Sequence, residues 1–131
     1  MRFILMMTGK KADWDAFMKW SKSDLQAHVA FMQKFSQELK DEGVFVATHG
    51  LAAPDQALVV RAGSKGEPVT DGIFPESKEF LAGFWIVDVE NAEQAHQVAA
   101  RASAAPGPGG APARIPIEVR EVMSTAPKEW L

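Results

Sequence analysis

The sequence predicts one α+β domain with the ferredoxin-like split βαβ plan and an inserted β-hairpin. Two observations support this fold class. The predicted elements follow the order β, helices, β, hairpin, β, α, β, and the 131-residue chain, with 47% hydrophobic and 24% charged residues, has the composition of a globular protein. We expect a single domain over residues 1–123 and a C-terminal tail over residues 124–131.

The first part of the chain predicts a strand and two helices. Residues 3–7 are a continuous apolar run, which indicates a buried central strand. A short helix is expected to start at Asp13, a favourable N-cap. A long helix follows, with a capping-box pattern over residues 23–26 and an end at Gly43. Its expected apolar stripe consists of Leu25, Val29, Met32, Ser36 and Leu39.

The rest of the chain predicts three more strands of the sheet, a hairpin and one helix. The elements in order are a strand at 44–47, hairpin strands at 57–61 and 68–70, a strand at 81–89, a helix from 92 to 102 and a last strand at 115–119. The hairpin turn is rich in residues that accept positive φ. Asn91 is the expected cap of the helix, and Pro116 indicates that the last strand lies at a sheet edge.

A sheet of this kind carries both helices on one face. The other face is apolar as well, and an uncovered apolar face of several hundred Å² is uncommon in a monomer. The sequence therefore predicts a homodimer in which two sheets pack face to face about a two-fold axis.

Composition excludes several classes of protein. The net charge is -3 and the basic residues are scattered, so direct binding of nucleic acid is not expected. Without cysteine there is no disulfide or thiolate chemistry, which fits the cytoplasm. The apolar run at the start is too short for a signal peptide or a membrane span. The three histidines have no metal-type spacing, and we expect no cofactor or metal, although the sequence leaves open a convergence of His28, His49 and Asp71.

Residues 69–79 form the most distinctive segment, because Gly, Pro and polar residues are unusually dense there. Asp71 precedes Gly72, and its carboxylate either bonds to local backbone N–H groups in a tight turn or stands at a pocket mouth as an acid, base or ligand. Both interpretations are compatible with the sequence.

This segment resembles the signature of the DGPF branch of the YCII-related family, an Asp-Gly-Pro-Phe turn followed by an acidic residue, Thr or Ser, Lys and Glu. Here it reads Asp71-Gly72-Ile73-Phe74 and then Glu76-Ser77-Lys78-Glu79. Ile73 replaces the proline and leaves the turn less rigid, because Ile does not fix φ. The similarity extends over nearly the whole chain, including the histidine-bearing long helix, Gly50-Leu51-Ala52, Gly83-Phe84-Trp85 and Glu118-Val119-Arg120.

The resemblance implies a dimeric α/β barrel built from two ferredoxin-like sheets, with a cleft beside the sheet in each subunit. Most members of the family have no assigned reaction. Some relatives are similar to dehydrochlorinases of chlorinated hydroxyquinols, with a His and an Asp as the suspected acid/base pair. DGPF members also often accompany alternative sigma factors, which implies a regulatory role instead.

His28 is the first candidate for a catalytic residue. It falls among the apolar residues of the long helix and is expected to face the sheet. The helix N-terminus and burial both disfavour the charged imidazolium, which leaves a neutral ring able to accept a proton. The alternative is a core histidine that is satisfied by one backbone carbonyl.

Two functions from different classes follow from these residues. The first is a small-molecule acid/base enzyme of the lyase or dehydrochlorinase type, with His28 as base and Asp71 as its partner. The second is a non-catalytic ligand-binding or regulatory module. His49, Phe74 and Lys78 are further pocket candidates, whereas His96 is interpreted as a surface residue.

Overall fold

The computed structural model describes residues 1–70 and 79–131. Its elements are β1 (Arg2–Lys10), α1 (Lys11–Phe17), α2 (Lys22–Asp41), β2 (Phe45–Gly50), β3 (Val60–Ala62), β4 (Pro68–Thr70), β5 (Glu79–Asp88), α3 (Ala92–Ser103) and β6 (Ile117–Glu121). Three short 3-10 turns lie at Pro54–Gln56, Pro108–Gly110 and Lys128–Trp130. The predicted order of strands and helices is confirmed.

Four strands form one antiparallel sheet in the order β2-β5-β1-β6. Strands β1 and β2 are parallel to each other, joined through α2, and separated by β5. Strands β5 and β6 are likewise joined through α3 and separated by β1. Two interleaved split βαβ units are the ferredoxin-like plan. The central place of β1 and the edge place of β6 agree with the apolar run and with Pro116. Strands β3 and β4 form a separate hairpin.

The hydrophobic core lies between one face of the sheet and helices α2 and α3. It contains alternate residues of the two central strands, and side chains from both helices. The buried members are Phe3, Leu5, Phe35, Leu39, Trp85, Val87, Val89, Ala95, Val98, Ala99 and Ala102. Both helices therefore cover the same face, as this fold class requires.

The two helices are tied together by Arg101 of α3. Its guanidinium donates hydrogen bonds to Glu42 at 2.8 and 2.9 Å and to Glu38 at 3.3 Å, and it lies 5.2 Å from the centre of the Phe35 ring. The hydrogen bond to Glu42 raises the pKa of Arg101 above its ordinary value. The charge of this residue is therefore constant over ordinary buffer conditions.

The structure differs from the sequence predictions in where the two first helices begin and in how α2 faces the core. Helix α1 begins at Lys11, so Asp13 is in its first turn and accepts a hydrogen bond from the backbone N–H of Lys10. Helix α2 is capped by Ser21 and not by Ser23, with Asp24 three residues on. Val29 is 51% exposed, because the buried side of α2 is centred on His28, Phe35 and Leu39.

A β-bulge lies where β1 and β5 approach the first helix. Met7 pairs with Gly83 and Thr8 pairs with Leu81, so Ala82 has no partner on β1. Beyond a bulge, the side chains that face the core change from one alternate set to the other. Phe80 consequently points to the helix side, where its ring meets Trp14 edge-on at 6.4 Å.

Candidate functional site

A cavity of about 420 Å³ lies between the sheet and the helices, at the end where β1 stops and β5 starts. Its walls are Met7, Thr8, Gly9, Asp13, Trp14, Ala16, Phe17, Trp20, His28, Leu51, Phe80, Ala82 and Ile115. The polar residues among them are Thr8, Asp13 and His28, and the others are glycine, apolar or aromatic residues. A concave apolar site with a few polar groups is typical of a small-molecule site.

His28 is buried in the wall of this cavity, with 6% of its surface exposed. Its Nδ1 lies 2.9 Å from the carbonyl oxygen of Pro106. A carbonyl oxygen only accepts hydrogen bonds, so Nδ1 donates, and in the neutral ring Nε2 carries the free lone pair. The hydrogen bond thus assigns one tautomer to the ring.

The second ring nitrogen of His28 remains accessible. Nε2 has no hydrogen-bond partner among residues 1–70 and 79–131. In these residues every side-chain nitrogen or oxygen that is sealed from solvent does have a partner, so Nε2 is not sealed from solvent. Since His28 lines the cavity, Nε2 is the nitrogen that a ligand there would meet. His28 is thus a core histidine whose Nδ1 is satisfied by a backbone carbonyl, and its ring still offers Nε2 as a hydrogen-bond acceptor.

Aromatic side chains hold the imidazole in place. The rings of Phe17 and Trp20 meet His28 edge-on at 5.8 and 5.4 Å, and they are 4.9 Å from each other. Trp14 continues this cluster, 5.8 Å from Phe17. None of these three aromatic residues was predicted from the sequence as part of a site. The sequence carries a signal for two of them, because Trp14 and Phe17 are three residues apart and so lie on one side of α1, whereas Trp20 lies beyond the end of that helix.

Among the described residues, Asp13 is the one with a carboxylate that lines the same cavity as His28. Its Oδ2 accepts a hydrogen bond of 2.7 Å from the Lys10 backbone, and the residue is exposed. The sequence suggested only a helix cap for it. The structure shows a first-turn residue that also reaches the mouth of the cavity.

The remaining predicted site residues do not join His28 within the described part of the chain. His49 is exposed on β2, and its ring contacts Phe84 at 5.8 Å. Phe84 alternates with the buried Trp85 and lies on the sheet face away from the helices. Asp71, Phe74 and Lys78 lie outside the described residues. His96 is exposed on α3, as predicted.

Two further properties concern residues 1–70 and 79–131 alone. They contain no group of three or more His, Asp or Glu side chains placed to hold a metal ion. Their helices include none that is both long enough and apolar enough to cross a bilayer.

Comparison with known proteins places the chain in a family but not beside a characterised protein. No curated protein matches its sequence. The family model of the YCII-related domain matches residues 1–119, which include β1, β2, β5, the first three residues of β6, both core helices and the cavity. The chain therefore belongs to the YCII-related domain family.

Proposed function

We propose that the cavity binds a small, mainly apolar molecule with one hydrogen-bond donor, and that Nε2 of His28 accepts this hydrogen. The observation that supports the proposal is the His28 Nδ1 to Pro106 hydrogen bond, because it leaves Nε2 of this cavity-lining ring without a partner among the described residues. In an enzyme of the lyase or dehydrochlorinase type, this nitrogen acts as the general base. A proton of the substrate then moves to Nε2 of His28, the electron pair of the broken O–H or C–H bond forms a new double bond within the substrate, and the C–Cl bond breaks to release a chloride ion to solvent.

A carboxylate completes this proposal. The DGPF-like motif supports Asp71 as the acidic or orienting partner, with Phe74 and Lys78 as pocket residues beside it. Asp13 is a second carboxylate, supported by its place in the wall of the same cavity. If Asp71 is the partner, Asp71→Asn is expected to abolish turnover while ligand binding persists. If Asp13 is the partner, Asp13→Asn is expected to have this effect instead.

The decisive experiment compares two histidine variants. Trp14 and Trp20 line the cavity, so binding of hydroxyquinol is expected to change tryptophan fluorescence. Turnover is measured as chloride released from a chlorinated hydroxyquinol. His28→Gln is expected to lower release at least about 100-fold, the usual contribution of a general base. His96→Gln, an exposed control, is expected to leave it unchanged. Equal release by wild type and His28→Gln would remove the catalytic assignment.

A regulatory or purely ligand-binding module is the second candidate. The partner of Nδ1 is a backbone carbonyl and not the carboxylate that orients the histidine of a Ser-His-Asp triad. This function predicts a fluorescence response to a ligand with no consumption of it. A gene for an alternative sigma factor beside the gene for this chain would favour this function, and a cluster for degradation of aromatic compounds would favour the enzyme.

The proposal includes a homodimer in the cytoplasm, formed through the sheet face away from the helices. Ile4, Met6, Phe84 and Ile86 alternate with buried residues and pair across β1 and β5 on that face. Other exposed apolar side chains are Val60 and Val69 of the hairpin and Leu58 just before it. Light scattering at micromolar concentration is expected to give twice the chain mass. Ile86→Lys is expected to give a folded monomer, and a monomeric wild type would contradict the dimer.

A further inference from the structure

The loop that carries the carbonyl partner of His28 is closed on itself. We call residues 105–113 the proline loop. Its ends are paired by the Ala113 N–H to Ala105 carbonyl hydrogen bond of 2.8 Å, one of the two hydrogen bonds that make up the β-bridge between Pro106 and Pro112. Within it, the Gly107 N–H donates to the Ala111 carbonyl at 2.6 Å. Proline fixes φ, so the carbonyl of Pro106 belongs to a stiff unit.

The proline loop is attached to α2 at two points. The first is the hydrogen bond from His28 Nδ1 to the Pro106 carbonyl, at 2.9 Å. The second is the hydrogen bond from the Gly109 N–H to Asp24 Oδ1, at 3.3 Å. Asp24 and His28 are four residues apart on α2, so they lie one above the other on the same side of the helix. The loop therefore cannot shift along α2 without breaking one of the two bonds.

The backbone of Gly109 explains why this second attachment forms. Gly109 has φ +70 and Gly110 has φ +83, conformations that favour glycine. A Cβ on Gly109 would meet no atom within 4 Å, so the requirement comes from the backbone and not from crowding. The left-handed turn directs the Gly109 N–H toward the first turn of α2.

We propose that Asp24 is a positioning residue of the His28 site: by holding the proline loop at Gly109, it keeps the Pro106 carbonyl on Nδ1 and so keeps Nε2 unprotonated toward the cavity. Asp24 is absent from the cavity wall, and its effect on the site is indirect. The consequence for ligand binding rests on the proposed function, whereas the tautomer itself does not.

Asp24 also has a purely structural role from which this proposal is separable. It follows the cap Ser21 by three residues, and its backbone N–H donates to Ser21 Oγ at 3.1 Å. An acidic side chain in the first turn stabilises a helix through its charge. The charge acts on the helix, whereas positioning of the loop needs only an acceptor oxygen. Asp24→Asn removes the charge and keeps an acceptor oxygen, and Asp24→Ala removes both.

The test is ¹⁵N NMR of the imidazole nitrogens in alkaline buffer, where the rings are neutral. The His28 signals are assigned by their loss in His28→Gln. Wild type is expected to carry its hydrogen mainly on Nδ1. In Asp24→Ala the ratio of the Nδ1–H to the Nε2–H form is expected to fall about 2- to 13-fold, the effect of one hydrogen bond of ordinary strength. Asp24→Asn is expected to keep the wild-type ratio. The control Asp41→Ala, at the other end of α2 where Asp41 bonds Gln37, is also expected to keep it.

Three results would overturn the assignment: an unchanged ratio in Asp24→Ala, equal changes in Asp24→Ala and Asp24→Asn, or a wild-type ring protonated at Nε2. Circular dichroism confirms that each variant is folded. Since no ligand is added, failure to find small-molecule binding would count against the proposed function and leave the tautomer result standing.

Discussion

Helix α2 offers a direct test of which side of it faces the core, with a matched pair of aliphatic residues. Leu39 is fully buried and Val29 is 51% exposed. Leu39→Ala removes side-chain carbons from a close-packed site and leaves a void, so it is expected to lower the free energy of unfolding by about 3–5 kcal/mol, the upper part of the usual range. For a domain of this size that corresponds to a fall in Tm of roughly 10–20 °C.

Val29→Ala is expected to raise the free energy of unfolding slightly or to leave it unchanged. Little burial is lost at an exposed site, and Ala is a better helix former than Val by about 0.5 kcal/mol. Urea unfolding followed by circular dichroism measures both variants, at one fixed protein concentration because association shifts apparent stability. A loss above about 1 kcal/mol in Val29→Ala would show that Val29 is packed, and would refute the orientation of α2 described above.

Two further pairs of measurements concern the sheet and the helix pair. A Cβ on Gly83 would lie 3.0 Å from the His49 carbonyl oxygen, whereas one on Gly50 would meet no atom within 4 Å. Gly83→Ala is therefore expected to lose about 1–3 kcal/mol of stability, and Gly50→Ala less than about 0.5 kcal/mol. Equal Tm values for the two variants would contradict the close approach of β2 and β5. Arg101 is 39% exposed at its ion pairs, so Arg101→Met is expected to lose only about 0.2–1 kcal/mol, and less in high salt. Because its pKa is raised, this contribution is present throughout neutral and mildly alkaline pH and is lost only as the pH rises past that raised pKa; a change between neutral and mildly alkaline pH would contradict the assignment.

The sequence predicted the architecture well because periodicity records burial. The apolar run at the start is the central strand β1, and the alternation around Pro116 is the edge strand β6. The exact side of α2 was less predictable. Val29 is apolar at a helical spacing that also fits the stripe, and only the packing of His28, Phe35 and Leu39 against the sheet shows that Val29 faces away. Apolar spacing defines a stripe, but not its centre.

The site was predictable only in part, because its decisive contacts join distant residues. The position of His28 on the buried side of α2 followed from the pattern. Its carbonyl partner did not, since Pro106 is 78 residues away and contributes a backbone atom, which any residue could supply. The aromatic residues of the cavity wall can be read from the sequence, but their common position cannot. That position depends on how α1 packs against β5, a contact between residues far apart in the sequence.

The unmatched Ala82 separates two parts of one strand. Toward its C-terminal end, β5 supplies Trp85 and Val87 to the core; toward its N-terminal end, it supplies Phe80 to the cavity. Residues on the two sides of the bulge follow opposite parity, so deletion of Ala82 would exchange inward and outward positions near the cavity and leave the register of the core intact. Evolution can thus reshape the cavity end of this domain by a single-residue insertion or deletion, while the stability of the fold is governed elsewhere along the same strand.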